Sequence, residues 1–383
     1  MQVTAVKTFL VHPGTGKNLL FVKVETDVGT HGWGEAYTQA DRDRAVVMHV
    51  EEMARYLVGR DPWAIKHFTS VMDLDYATKR GAMDFYSALS GIEQALWDIA
   101  GKAAGQPVYN LLGGPCRGRV RVYANGWGGG AKTPAALGEA AKEIVSRGFT
   151  ALKFDPFPNP WREIIGLDAE RQAVETVAAV RQAVGPDVEI LVEVHRRLVP
   201  MYATRVARAI TPYRPFWYEE PVSSRDIDAL AEVRRSITLP VVTGEALYTK
   251  HEFRAVFEKR AADIINPDIC NCGGILELKE IAAMAEAYGV AVSPHNYNST
   301  TIGLSATAHL AAAIPNFLIT EYFVNFEALG RELADTPLIA EGGYLTLPTT
   351  PGLGLDLDEA ALARHAYRPF PPRAIRQPAD EGP

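Results

Sequence analysis

The sequence predicts an α/β fold, a parallel barrel of strand–helix units behind an N-terminal α+β domain, and three observations predict it. Six ionisable residues, Glu193, Glu219, Glu245, Asp268, His295 and Glu321, recur at gaps of 26, 26, 23, 27 and 26 residues. Each lies in or at the end of a short apolar run, from VEILVEVH to NFLITEY. A water-seeking group is costly there unless the strand ends or a partner meets it. From about residue 126 strand-like and helix-like patterns alternate, and the stride is that of one strand, one helix and two loops. Ahead of them strand patterns come first and helices follow, the order of an α+β domain. The six charges would then gather at one end of the barrel, where an active site belongs.

The elements follow in order. VTAVKTFLVH and LLFVKVETDV read as strands, turned at Gly29 and continued by GWGEAY. DRAVVMHVEEMARYLVGRD and DFYSALSGIEQALWDIAGKAAG carry helical spacing, the second stopping near Gly105 and Pro107. Residues 1–125 therefore form the α+β domain. Within 126–340, strand TALKF precedes a helix expected to start at Asp168 as N-cap and to stop at Gly185-Pro186. The strands VEILVEV, FWYEE, PVVTG, DIINPD, VAVSP and FLITEY then alternate with helices. The remaining 341–383 is turn-rich, too short to fold alone, and is expected to pack back on the N-terminal domain.

Composition narrows the function. A chain of 383 residues exceeds one usual core, so a large and a smaller domain are expected. The formal charge of −7 argues against nucleic acid or an anionic membrane as partner. Arg117, Arg119 and Arg121 read as a solvated strand face. No apolar run of 18 residues is present and the opening residues are strand-like, so no membrane span or signal peptide is expected. Cys116, Cys270 and Cys272 make no disulfide framework, which fits reduced thiols and the cytoplasm. The glycine-rich run from Gly126 to Thr133 falls short of a phosphate-cradling loop, because Ala131 stands where glycine must precede Lys132.

Three carboxylates from successive strands, Glu193, Glu219 and Glu245, offer the hard oxygen ligands that Mg²⁺ prefers. Only one of the adjacent Glu219 and Glu220 can face inward, and Glu219 is the better placed. His195, two residues beyond Glu193, would share its side and serve as an acid. Asp268 and His295 end neighbouring strands, so the carboxylate could orient the imidazole and raise its basicity. Glu321 could bond to substrate or to a catalytic group.

These residues, with ALWDIAGKAAGQPVYNLLGG and LPTTPGLGLDLDE, resemble the enolase superfamily in its mandelate racemase subgroup, over essentially the whole chain. The likeness is to its sugar-acid dehydratases acting on gluconate or galactonate. It implies an α+β capping domain over a modified (β/α)7β TIM-like barrel, and a homo-oligomer. By resemblance Glu193, Glu219 and Glu245 are the metal ligands, Asp268 and His295 the base pair, Glu321 the last-strand glutamate and His195 the general acid. Glu193 stands where many members carry Asp, one methylene longer. In the second barrel strand, racemases and lactonizing relatives carry Lys-x-Lys; here the run is Lys153-Phe154-Asp155, so the second base is replaced. An acid and one base remain, the pair that β-elimination requires. The implied reaction is Mg²⁺-dependent dehydration of a small sugar acid to a 2-keto-3-deoxy acid, with Lys153 balancing charge. Cap loops near His12–Asn18 and His31–Tyr37 would choose the substrate. Two other readings are a cycloisomerase or epimerase, and a non-catalytic sugar-acid sensor.

Overall fold

Glycine decides how the N-terminal layer is built. In this computed structural model, which describes residues 1–14, 16–39, 41–76, 81–158, 162–297, 299, 301–371 and 377–378, the chain opens with β1 (Val3–Val11), β2 (Leu19–Thr26) and β3 (His31–Ala36). They form an antiparallel sheet in that order. Helices α1 (Asp43–Leu57), α2 (Ile65–Val71), α3 (Met83–Ala104) and the short α4 (Val108–Leu111) follow. The long helix α3 lies directly on β3: a Cβ at Gly34 would stand 1.7 Å from the Gly91 carbonyl oxygen, and one at Gly32 would stand 2.1 Å from that of Ala95. Only residues without a side chain allow backbones so close. The helix stops at Gly105, at φ +64°, as its sequence predicts.

Strand then alternates with helix: β4 (Arg119–Asn125), α5 (Pro134–Ser146), β5 (Ala151–Phe154), α6 (Leu167–Val184), β6 (Glu189–Glu193), α7 (Pro200–Ile210), β7 (Trp217–Glu219), α8 (Ile227–Ser236), β8 (Val241–Thr243), α9 (Thr249–Glu258), β9 (Ile264–Ile265), α10 (Ile275–Ala287), β10 (Ala291–Val292), α11 (Ile302–Ala313) and β11 (Thr320–Phe323). The strands pair in parallel in the order β10-β9-β8-β7-β6-β5-β4-β11. Val292 pairs with Phe317, just ahead of β11, and this brings the two ends of the sheet together. The chain ends with α12 (Glu327–Leu333), β12 (Tyr344–Thr346) and α13 (Glu359–Arg364).

The inside of the curled sheet is plugged by a buried cluster that includes Tyr123, Ala151, Leu191, Trp217, Val242, Ile264 and Ile319. Strand side chains alternate between faces, so the residues two further on point the same way. They are Asn125, Lys153, Glu193, Glu219, Gly244, Asn266 and Glu321. An apolar floor with a polar layer directly above it is therefore written into the period of the strands.

Several expectations need correction. Helix α6 begins at Leu167 with Gly166 as its N-cap, and Asp168 sits in its first turn, where a carboxylate meets the positive end of the helix dipole. By its hydrogen bonds β4 belongs to the barrel sheet, so the passage into the barrel comes before residue 119, not at 126. Arg117 lies outside the strand and donates to the carbonyls of Ala311, Ile314 and Pro315 at the end of α11, closing helix acceptors that would otherwise lack partners. The C-terminal segment pairs first with the barrel, β12 running antiparallel to β4, and only then reaches the capping layer. There the Leu353 amide donates to Asp98 and Lys23 pairs with Glu359.

The β3–α3 contact admits a direct test. Gly34→Ala should cost on the order of 3 kcal/mol of stability, because backbone on both sides must give way. An unchanged urea unfolding midpoint would refute the close approach.

Candidate active site

Three buried carboxylates, Glu193, Glu219 and Glu321, and the half-buried Glu245 share one end of the barrel. Glu193, Glu219 and Glu245 offer one oxygen each, all within 4.8 Å of one another. Glu321 joins them from β11, fully buried. Lys153 stands among them. Its ammonium lies 2.9 Å from Glu219 and 2.9 Å from Glu321, and 3.5 Å from Glu193. Burial opposes its charge, yet Glu219 and Glu321 outweigh burial and hold its pKa well above the ordinary lysine value.

The three glutamates are not held alike. Glu193 accepts from the His195 amide at 2.6 Å. Glu219 Oε1 accepts from Lys153 and from Asn266 Nδ2 at 2.9 Å, while its Oε2 is buried with no hydrogen-bond partner among the described residues. Burial and the neighbouring Glu193 push the Glu219 carboxyl well above the usual carboxylate range. Glu245 lies past the end of β8, paired with Arg196 and 3.0 Å from His295 Nε2. Burial works against its ionisation, but Arg196 and His295 prevail and hold it well below the usual range. An orphaned buried oxygen within a group of mutually repelling carboxylates suits a divalent cation, and an all-oxygen donor set suits a hard one. The three glutamates could hold such an ion.

Asp268 and His295 meet as their spacing suggested. They face each other across a parallel bridge, with His295 Nδ1 2.7 Å from Asp268 Oδ2. His295 Nε2 in turn lies 3.0 Å from Glu245 and 3.4 Å from Glu321, so a carboxylate faces each ring nitrogen and the imidazolium donates from both. Burial disfavours the imidazolium, but Glu321 and Glu245 outweigh it, and the pKa lies well above the ordinary histidine value. Glu321 also accepts from Asn125 Nδ2 at 2.6 Å and from the Asn296 amide at 3.1 Å.

His195 reaches the site by a different route from the one its spacing suggested. The strand ends at Glu193, and His195 and Arg196 adopt left-handed conformations, with φ +55° and +61°. This turn brings the His195 amide onto Glu193 and sends Arg196 to Glu245. The His195 ring is held by Asp155, Nδ1 to Oδ2 at 2.8 Å, and Arg197 pairs with the same carboxylate. Burial lowers its proton affinity, but Glu193 and Asp155 reverse this and raise its pKa to about 9. Asp155 thus orients an imidazole. Glu220, on the other strand face, is also buried and accepts from Thr243 Oγ1 and the Gly244 amide.

Of the two loops expected to choose a substrate, only parts reach the site. The His12 amide bonds to the His365 carbonyl and His31 lies 3.1 Å from Asp356, both turned to the C-terminal segment. Lys17 and Tyr37 do arrive. The Lys17 ammonium is buried, donates to the Thr38 carbonyl at 2.6 Å, and stands 3.8 Å from the Tyr37 ring and 4.3 Å from the Tyr297 ring. Those two rings lie 6.4 and 6.1 Å from the ring of His295. Burial lowers the Lys17 pKa to about 7, against the pull of Asp268 and Glu35. The sequence reading gave no role to Arg196, Asn125 or Asn266 and placed Lys17 only within a substrate-choosing loop; strand period signals the two asparagines, and nothing local signals Arg196.

The N-terminal part matches the mandelate racemase/muconate lactonizing enzyme N-terminal domain over residues 5–113, and the barrel matches the enolase C-terminal domain-like family over residues 136–361. The chain is 37% identical to a D-gluconate dehydratase of Thermoproteus tenax, covering 91% of this chain and 70% of that one. It is also 37% identical to a D-galactonate dehydratase of Ralstonia nicotianae, covering 94% and 93%. A mandelate racemase/muconate lactonizing enzyme-like protein from Roseovarius superposes with a TM-score of 0.89 at 34% identity, covering 96% of each chain. A member of the enolase superfamily from Salmonella Typhimurium does so with a TM-score of 0.88 at 30% identity, covering 95% and 98%. No described helix is long and apolar enough to cross a membrane. With both of its family domains present in order and a barrel-end carboxylate cluster between them, the chain belongs to the enolase superfamily.

Proposed function

We propose that this enzyme dehydrates a gluconate- or galactonate-like sugar acid to a 2-keto-3-deoxy acid, with Mg²⁺ held by Glu193, Glu219 and Glu245. The observation that carries the reading is the pair of unlike imidazoles at one carboxylate cluster: His295 on Asp268, and His195 on Asp155. The two relatives above, each a sugar-acid dehydratase by name, support it.

The chemistry follows from the acidity of the substrate. Hydrogen on the carbon beside a carboxylate is hard to remove, because a second negative charge develops next to the first. A bound divalent ion would supply electrostatic stabilisation of that charge and draw the charge of Glu245 away from His295. His295 Nε2 takes the proton from C2, Asp268 steadies the imidazolium that forms, and the electron pair enters the enediolate of the substrate. His195, protonated at neutral pH, gives its proton to the 3-hydroxyl as the C3–O bond breaks, so that water leaves. The electron pair returns to form the C2–C3 double bond, and the enol tautomerises to the ketone. Lys153 holds Glu219 and Glu321 in place and favours the ionised form of Glu321, and Lys17 with its two tyrosines meets the hydroxylated end of the substrate.

A screen of C5 and C6 sugar acids with Mg²⁺, reading 2-keto acid with a carbonyl reagent, tests the assignment; no keto product from any of them would refute it. A divalent ion at a hundredfold excess over its Kd should stabilise the protein by about 2.7 kcal/mol. Glu219→Gln should lose most of that rise in Tm, and an equal rise in the variant would remove Glu219 from the ligand set. His295→Asn should lower kcat by roughly 10²–10⁴-fold and abolish deuterium uptake at C2 in D₂O. His195→Asn should stop dehydration, and dehydration at the wild-type rate would overturn its role as acid. Deuterium uptake at C2 of the wild-type enzyme with no keto product would favour epimerisation instead. A buried amine donor, only partly charged at neutral pH, facing a hydroxyl is worth roughly 0.5–1.5 kcal/mol, so Lys17→Met should raise KM by roughly 3- to 10-fold while kcat changes less. Unaltered KM for every sugar acid turned over would exclude the contact.

A further inference from the structure

Glu35 is a carboxylate with no place in the reaction above, and it is buried at 3% exposure. A buried carboxylate is costly unless it is well bonded. Glu35 Oε2 accepts from Ser299 Oγ at 2.6 Å and from the Gly303 amide, in the first turn of α11, at 2.8 Å. It lies on β3 of the capping layer, while both partners belong to the barrel, 264 and 268 residues further along the chain.

Those partners lead to His295. The Ser299 carbonyl accepts from Asn296 Nδ2 at 3.0 Å, and the amide of Asn296, next to His295, donates to Glu321. Ser299 Oγ also accepts from the Leu304 amide at 3.0 Å. The same cap strand grips the other half of the pair. The Tyr37 amide donates to the Cys270 carbonyl at 3.0 Å, and Gln94 Nε2, which bonds the Glu35 carbonyl at 3.0 Å, reaches the Ile269 carbonyl at 3.3 Å. Ile269 and Cys270 directly follow Asp268. The segment after Asp268 and the segment after His295 are therefore both tied to the end of β3.

We infer that Glu35 is a positioning residue for the proposed reaction: from the capping layer it holds Ser299 and Gly303, and through the Ser299–Asn296 bond it fixes the His295 imidazole against Asp268 and the reacting carbon. Displacement of a reacting group by about 1 Å can cost a hundredfold in rate, so the brace acts on kcat. Substrate binding rests on other groups, and Glu35 reaches it only through the charge it lends Lys17. Burial raises the Glu35 pKa to about 7 against the bonds from Ser299 and Gly303, so glutamine is a close substitute that still accepts at one oxygen.

The inference rests on the dehydratase reading, and the test keeps the two apart. Wild type, Glu35→Gln, Glu35→Ala and Ser299→Ala are assayed with Mg²⁺ on D-gluconate and D-galactonate, alongside amide exchange at Gly303 and Leu304. Glu35→Ala should lower kcat by roughly 10- to 100-fold with KM within about threefold, and Glu35→Gln should recover most of the loss. Exchange at Gly303 should quicken in Glu35→Ala and stay slow in Glu35→Gln, while exchange at Leu304, whose amide bonds Ser299 Oγ, should quicken in Ser299→Ala as well. A folded Glu35→Ala enzyme with wild-type kcat overturns the inference, as does unchanged exchange. Should Glu35→Ala fail to fold, Ser299→Ala decides: a several-fold loss of kcat supports the brace and an unchanged kcat refutes it. A wild-type protein inactive on both acids refutes the dehydratase reading for these substrates, and the exchange measurement then decides the brace alone.

Discussion

Lys153 sets the condition under which the rest of this site can exist. Glu193, Glu219, Glu245 and Glu321 are brought within a few ångströms of one another in a place with little water, where like charges repel strongly. A single buried ammonium meets three of them, and Arg196 meets the fourth. His295 adds a further cation beside Glu245 and Glu321, and the repulsion that remains falls on Glu219, with its unpartnered oxygen and raised pKa. The strand supplies the means: Lys153 stands two residues past Ala151, above the apolar plug, and has no direction to extend except among the acids.

Much of this was legible in the sequence, and the reason is periodic. Parallel strands repeat at a nearly constant stride, and side chains within each alternate, so acids at equal spacing must share one end and one face. Glu193, Glu219 and Glu321 followed that rule inside their strands, and Asp268 and His295, three residues past β9 and β10, still came together across a parallel bridge. The same logic would have found Asn125 and Asn266. Where regular backbone ends, the rule stops. Glu245 lies past its strand, and His195 arrives through two left-handed residues whose direction no alternation gives. The capping residues were harder still. Nothing near Glu35 or Lys17 indicates a barrel partner some 264 residues away, because such contacts depend on how two layers dock.

That docking is itself built on polar bonds as much as on apolar packing. Glu93 of α3 accepts from the Ile275 and Leu276 amides at the start of α10, and Glu35 does the same for Gly303 at the start of α11. Helix N-termini have donors without internal partners, and a carboxylate from the other layer satisfies them with favourable dipole alignment. Such bonds are directional, so they fix the angle of the cap over the barrel in a way that hydrophobic contact alone does not. The close glycine-mediated contact of β3 with α3 then passes that angle on to Tyr37 and Lys17 above the site.

The two imidazoles show how one kind of side chain is given two tasks. Each has a carboxylate on Nδ1, so the partner alone does not distinguish them. Their surroundings do. His295 is buried, and its free nitrogen faces Glu245 and Glu321, whose charges decide how readily it takes a proton. Anything that spreads those charges makes it a base. His195 is the more exposed of the two, and its Asp155 is shared with Arg197, which divides the pull of that carboxylate. Glu193 keeps it protonated all the same. A histidine whose proton is held by fixed charges, with access to solvent for its renewal, is suited to giving that proton up once per turnover. In the reaction proposed above, Asp155 therefore does more than leave out a second base: by orienting His195 it would let that side of the site give a proton to oxygen, as loss of water requires, where racemisation would return one to carbon.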